Sequence, residues 1–300
     1  MSEAPSPLVD ALTEINITDL LESAGLARWR YASLRHLVRP VARRFALTAH
    51  EFDNRVGRDG LAQGSTWLMQ QMTAGLRTTG LAHIPAQGPL FILANHPGMT
   101  DTVALFASLA SRPDLRVIAL DRPFLRALPN VSRQLIFLPP EESGRLAVIR
   151  EGARHLKNGG ALLTFPAGDI EPDPAVSGSA QAMHSLRSWS DSYALFARLV
   201  PGTRFVPTAV SHVISPAAQR NPLTFLRRTR HGKARLAAAL QVALPRYREL
   251  VPRVHFMALP RMDQSDPQAL CAAVATQMRQ HMLALCLAEP VDDYAPAAMA

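Results

Sequence analysis

The sequence predicts an α/β fold: a mostly parallel sheet flanked by helices, with an N-terminal helical extension. Three observations predict it. Short apolar runs at residues 90–94, 116–120, 134–138 and 161–165 alternate with segments of helical periodicity such as 143–158, and strands alternating with helices argue a parallel sheet. The run 90–94, LFILA, has no polar residue, as a strand covered on both faces requires. A chain of 300 residues that is 48% apolar is large enough to bury such a sheet under two layers of helix.

Residues 1–75 are expected to form an N-terminal helical region, 76–262 the main domain, and 263–300 a C-terminal helix and tail. The leader is mildly acidic, with one short helix over 18–25. The sign of charge then reverses. Arg28, Arg30, Arg35, Arg39, Arg43 and Arg44 are interleaved with Tyr31, Leu34, Val38, Val41 and Phe45. The apolar set recurs at three and four residues, a helical stripe that Pro40 should kink or split. Two readings stay open: a basic amphipathic helix lying on an anionic membrane surface, or a stripe packed on the core with its arginines in water. Residues 46–75 continue as helices interrupted at Gly57, Gly60 and Gly64, whose spacing is not that of a dinucleotide loop.

A strand begins at Leu76, and a turn with Pro85, Gly88 and Pro89 leads into the apolar strand 90–94. Helix-forming residues occupy 100–110, strand 116–120 follows, and 124–131 reads as a short helix. Strand 134–138 is closed by Pro139 and Pro140, and helix 143–158 is stopped by Gly159-Gly160. Strand 161–165 runs into a polar, proline-rich loop over 170–190. Then come a helix over 190–200, a strand over 204–211 that contains Pro207, a basic segment over 217–235, a strand over 254–259 and an amphipathic helix over 267–288. The tail from Glu289 is expected to be disordered.

The net charge of +8, much of it arginine, favours an anionic partner: lipid headgroups, a phosphorylated substrate or nucleic acid. No zinc finger, aromatic RNA-binding signature or basic zipper is present, so nucleic acid is set aside. Two cysteines, Cys271 and Cys286, are too few for a disulfide framework and point to a reducing cytoplasm. No apolar run approaches the ~20 residues needed to cross a bilayer. The start, MSEAPSPLVDALTE, has no signal-peptide pattern.

Chemistry concentrates in residues 91–101, FILANHPGMTD. The apolar strand delivers Asn95 and His96 to its carboxyl end, Pro97 and Gly98 turn the chain, and Asp101 opens the next helix. Ligands of open α/β sheets bind at that end. A neutral imidazole is a base near physiological pH, and a carboxylate on its other nitrogen sets the tautomer and stabilises imidazolium. The bare pair is a weak signal, since chance supplies about 0.5 His–Asp pairs at this offset. The bland alternative is a capping Asp and a His bonded to nearby backbone. No G-x-S-x-G occurs, which removes a serine-hydrolase reading.

Context raises the odds. GLAHIPAQGPLFILANHPGMTD resembles the first block of the glycerolipid (lysophospholipid) acyltransferase superfamily, whose mark is NHxxxxD after a buried strand. ALDRPFLRALPNVSRQLIFL is similar to that family's second block, LLTFPAGD to its third, usually FPEGTR, and FVPTAV to its fourth. The order spans residues 76–212. Three departures stand out: Pro139-Pro140 where an Arg commonly follows the second block, Ala167 for the usual Glu, and Ile170 for the usual Arg.

The resemblance implies transfer of a fatty acyl group from a thioester, on coenzyme A or an acyl carrier protein, to a lipid-like acceptor at an anionic membrane surface. It implies a peripheral protein at the inner face of the membrane, with no metal and no organic cofactor. His96 is the implied base and Asp101 its orienting group. Asn95 and Thr100 are supporting residues whose alternative is plain turn chemistry. Pro166, Gly168 and Asp169 come from the third block, and backbone N–H groups near Gly98 or Gly168 are candidates for the oxyanion. Arg122 is the candidate anion contact, its alternative a surface salt bridge; Arg133 and Arg145 are others. Glu171 is a candidate stand-in for the missing Glu. The acceptor then either carries a phosphate held from a new position or carries none. A reading of another class is a non-catalytic lipid or acyl-carrier binding protein on the same fold.

Overall fold

The computed structural model describes residues 7–25, 32–141, 144–260 and 266–287. Two long helices open the chain, α1 (Pro7–Ser23) and α2 (Ala32–Asp59), followed by α3 (Leu61–Met72). The rest is β1 (Arg77–Thr79), β2 (Leu90–Ala94), α4 (Thr100–Ser108), β3 (Leu115–Leu120), α5 (Pro123–Arg126), α6 (Pro129–Ser132), β4 (Leu135–Leu138), α7 (Arg145–Lys157), β5 (Ala161–Thr164), α8 (Pro174–Ser177), α9 (Ser179–Ser185), α10 (Ala194–Leu199), β6 (Arg204–Ser211), α11 (Pro216–Gln219), α12 (Arg230–Ala243), β7 (Arg253–Phe256) and α13 (Pro267–Leu287).

The seven strands form one sheet in the order β1-β7-β6-β2-β5-β3-β4. Strands β2 to β6 all run the same way, while β7 is antiparallel to β6 and parallel to β1. The fold is therefore α/β with a mostly parallel sheet flanked by helices. Strand β2 is flanked by β5 and β6 and buried at all five positions. Leu90, Ile92 and Ala94 join a core with Phe52, Leu68 and Leu105 from α2 to α4. Phe91 and Leu93 join the opposite one with Leu156, Phe196 and Met278 from α7, α10 and α13. An uninterrupted apolar run is what a strand with two dry faces needs.

Several expectations change. The leader helix is 17 residues long and begins at Pro7, because Val9, Leu12 and Ile17 are all buried. Pro40 does not split α2: it lies on an exposed face, where the carbonyl it leaves unbonded is open to water. Of the three glycines, only Gly60 breaks the helix, at φ +87°. Gly57 and Gly64 lie inside helices and serve close packing: a Cβ there would come within 2.7 Å of Asn130 and 2.8 Å of Val56. Residues 124–131 divide into α5 and α6, and the expected loop 170–190 contains α8 and α9.

The stripe of α2 packs inward. Leu34 and Val38 rest on Ile17, Leu21 and Ala42, and Phe45 stacks on Phe124 at 5.7 Å. Its arginines pair with α1: Arg35 at 2.6 Å and Arg39 at 2.5 Å with Glu14, Arg43 at 2.9 Å with Asp10. Arg28, Arg30 and Tyr31 of that stripe, and the tail from Glu289, lie outside the described residues. Among the described residues no helix is long and apolar enough to cross a membrane.

Candidate active site

Because β2 to β6 are parallel, their carboxyl ends share one edge of the sheet, and four of the segments singled out from the sequence leave from that edge. Asn95 and His96 follow β2, Arg122 follows β3, residues 165–169 follow β5, and residues 212–215 follow β6. At the centre, His96 Nδ1 and Asp101 Oδ2 are 2.8 Å apart. Asp101 is wholly buried in the first turn of α4. Its Oδ2 also accepts the Gly98 N–H at 3.1 Å, and its Oδ1 accepts the Thr102 N–H at 2.5 Å and the Thr102 hydroxyl at 3.2 Å. Four donors on one carboxylate leave it a single orientation.

A carboxylate only accepts, so Nδ1 carries the proton and the lone pair of the neutral ring lies on Nε2. The His96 side chain is 26% exposed, and its outer face stacks on Phe165 at 4.5 Å between centroids. Burial alone would pull its pKa down. The charge and hydrogen bond of Asp101, with further charge from Glu171 and Asp169, outweigh that and raise it above the ordinary imidazole value.

Glu171 holds the histidine's backbone. Its Oε2 accepts the His96 N–H at 2.9 Å, and its own N–H donates to the His96 carbonyl at 2.7 Å. Its Oε1 accepts from Trp189 Nε1 at 2.8 Å and from the Ser185 hydroxyl at 3.1 Å. Burial raises its pKa against the pull of these donors. Asp173, two residues on and fully buried, caps the turn after β6. It accepts the N–H groups of His212 at 3.1 Å, Val213 at 2.7 Å and Ile214 at 3.0 Å, along with that of Ala175. His212 adopts φ +59° in that turn. Sequence reading passed over Asp173 and Trp189, which no local pattern marks.

The remaining candidates divide between the centre and its frame. The Asn95 side chain donates to the Val210 carbonyl at 2.9 Å and accepts the Val210 N–H at 2.7 Å, bridging β2 to β6. Thr100 donates to the Val213 carbonyl at 3.3 Å, and Gly98 lies against Val213 and Ile214. The Gly98 N–H is taken by Asp101, and that of Gly168 donates to the Phe165 carbonyl at 3.0 Å. Pro166 is buried and its carbonyl accepts the Ser190 N–H at 2.9 Å. Asp169 is exposed and accepts the Ile170 N–H at 2.7 Å. Arg122 is exposed ahead of α5, and its charge acts on Asp19 of α1. Among the described residues no group of three His, Cys, Asp or Glu is placed to hold a metal ion.

No protein-family model matches the chain, and no curated protein matches its sequence. Among solved structures, the 1-acyl-sn-glycerophosphate (LPA) acyltransferase of Thermotoga maritima is similar at a TM-score of 0.43 and 14% sequence identity, over 94% of this chain and 96% of that one.

Proposed function

We propose that this protein is an acyltransferase that moves a fatty acyl group from a thioester, carried by coenzyme A or an acyl carrier protein, to the hydroxyl of a lipid-like acceptor at an anionic membrane surface. One observation carries the reading: a quarter-exposed imidazole whose Nδ1 is held by a wholly buried carboxylate at 2.8 Å, at the carboxyl edge of a parallel sheet. Nε2 of His96 takes the hydroxyl proton as the acceptor oxygen attacks the thioester carbonyl. The tetrahedral intermediate then expels the thiolate, which recovers that proton from the imidazolium, and ester and thiol leave together. Asp101 orients the ring and stabilises its charged form. General-base assistance supplies roughly 10²- to 10⁴-fold, and the rest falls to positioning of the two substrates. This chemistry asks for no metal and no organic cofactor.

The test is release of free thiol from acyl-CoA in the presence of a panel of hydroxyl and amine lipids, with and without phosphate. Thiol release should track formation of acylated acceptor, and His96→Ala should lower it by about 10³-fold. An unchanged rate in a folded His96→Ala protein would remove the proposal, and tight lipid binding without turnover would favour a binding protein.

A further inference from the structure

We infer that the segment between β6 and α12 is the surface by which the protein sits on an anionic lipid bilayer, an inference that rests on the membrane association proposed above and gives it a location. Three large apolar side chains stand out of one turn at residues 222–226: Leu223 is 49% exposed, Phe225 76% and Leu226 58%. Their backbone is not loose. Asn221 caps the turn by accepting the Leu223 N–H at 2.9 Å and donates to the Tyr247 hydroxyl at 2.7 Å. Thr224, buried between them, donates to the Asn221 carbonyl at 2.7 Å and to the Gln219 carbonyl at 3.1 Å. A rigid turn that turns its polar residues inward and its leucines and phenylalanine outward is the reverse of an ordinary surface turn.

The charges around it name the occupant. From Ser192 to Arg248 the chain contains no aspartate or glutamate, whereas residues 220–235 contain Arg220, Arg227, Arg228, Arg230, Lys233 and Arg235. Arg220, Arg228 and Arg235 are exposed. The Lys233 ammonium lies 5.1 Å from the Phe225 ring centre, a cation beside the most exposed ring. Exposed apolar side chains in a stretch of chain rich in exposed cations match an interface of acyl chains beneath anionic headgroups. The arginines of α2, by contrast, are paired with Glu14 and Asp10.

Position completes the argument. The turn follows the carboxyl end of β6, the edge where His96 stands. The connection between them is braced: Gln241 of α12 donates to the Val213 carbonyl at 2.9 Å and accepts the Ser215 N–H at 2.8 Å, and Thr100 meets the same carbonyl. Residues 223–228, which lead into α12, are in this way tied to the turn on which Thr100 rests, and we place the bilayer on that side of the molecule.

The full chain should cosediment with vesicles of phosphatidylglycerol and phosphatidylcholine and not with phosphatidylcholine alone, and binding should fall as salt rises. Phe225→Ser with Leu226→Ser should weaken it by about tenfold or more, given what partial burial of such side chains contributes. Arg220→Gln with Arg228→Gln should weaken it by about fivefold per charge. Leu37→Ser, on the exposed face of α2, should bind as wild type, and so should His96→Ala. The inference fails if the double serine variant binds like wild type, if Leu37→Ser loses as much, or if phosphatidylglycerol makes no difference. Binding is read without turnover, so a protein that binds as expected but transfers no acyl group overturns the proposed reaction alone.

Discussion

In the proposed reaction His96 acts as a base only when neutral, and its surroundings favour the charged form. Asp101, Glu171 and Asp169 all raise its affinity for a proton against the effect of burial. For the proposed reaction kcat/KM should rise with pH along an acidic limb whose midpoint lies above about 6.5. Asp101→Asn removes the largest charge favouring imidazolium, and its single amide oxygen can accept from His96 and Gly98 or from Thr102, but not from both. That limb should move to lower pH while the plateau drops by about 10²-fold or more; a midpoint unmoved by the substitution would mean that another group titrates. The stability sign follows separately. A histidine raised in the folded state stabilises below the unfolded value near 6.5, and that contribution is lost as pH rises through the folded value. Glu171 gives a second test. Both of its oxygens accept, so the amide of Glu171→Gln must point two hydrogens at either the His96 N–H or the Trp189 and Ser185 donors. One buried donor then goes unpaired at a cost of about 1–3 kcal/mol. The melting temperature should fall and kcat should drop about tenfold with KM nearly unchanged, as expected of a positioning residue. A loss confined to KM would place Glu171 on the substrate instead.

The two edges of the sheet are fastened by single buried ions, and these are the elements' weak points. At the amino edge Arg112, 1% exposed, spans Asp114 through two hydrogen bonds of 2.9 and 2.8 Å and reaches the carbonyls of Pro85 at 3.1 Å and Gly159 at 2.9 Å. It thereby ties together the approaches to β2, β3 and β5, and in return holds the Asp114 carboxyl below its ordinary range. At the carboxyl edge Asp173 collects the N–H groups of the turn after β6. Arg112→Met leaves two carbonyls and the Asp114 carboxylate without their donor, Asp173→Ala strands four backbone N–H groups, and each should cost about 3 kcal/mol. Thermal denaturation should show a fall of about 6–12 °C for each; Asp173→Ala should also slow the proposed acyl transfer, because Thr100 and Gly98 lean on the same turn, whereas Arg112→Met should not. Equal effects on rate would contradict that division. Neither ion was legible in the sequence. The strands were, because burial on two faces demands an unbroken apolar run such as 90–94, and so was the helix at 145–157, whose stripe faces one layer. Beyond the local contacts of Arg112 with Asp114 and of Asp173 with Ala175, the backbone groups these two side chains hold lie 27 to 47 and 39 to 41 positions away. No local period announces a contact of that kind.

Across the molecule, charge is segregated: cations crowd the chain from 220 to 235, while the groups whose charge acts on His96 are carboxylates. The pairing of His96 with Asp101 could be read from five residues of spacing and a strand before them, but the rest of its surroundings could not, since they come from the segments that follow β5 and β6. Ala167 and Ile170 are both half-buried after β5, and neither side chain carries a charge. A phosphate arriving at His96 would approach the three carboxylates, Asp101, Glu171 and Asp169, whose charge already acts on the ring. A unit negative charge about 8 Å from a carboxylate costs about 2 kcal/mol at an effective dielectric constant near 20, more than the 1.4 kcal/mol that separates substrates tenfold. Under the proposed reaction, an acceptor with a free hydroxyl and no phosphate should therefore be acylated with a kcat/KM at least tenfold above that of its phosphorylated counterpart of equal chain length. The difference should shrink as ionic strength rises, because screening relieves the repulsion. Initial rates for matched acceptor pairs at two salt concentrations decide the matter: preference for the phosphorylated acceptor at low salt would mean that an arginine reaches the pocket during turnover, and Arg122→Gln would then be the variant to abolish it.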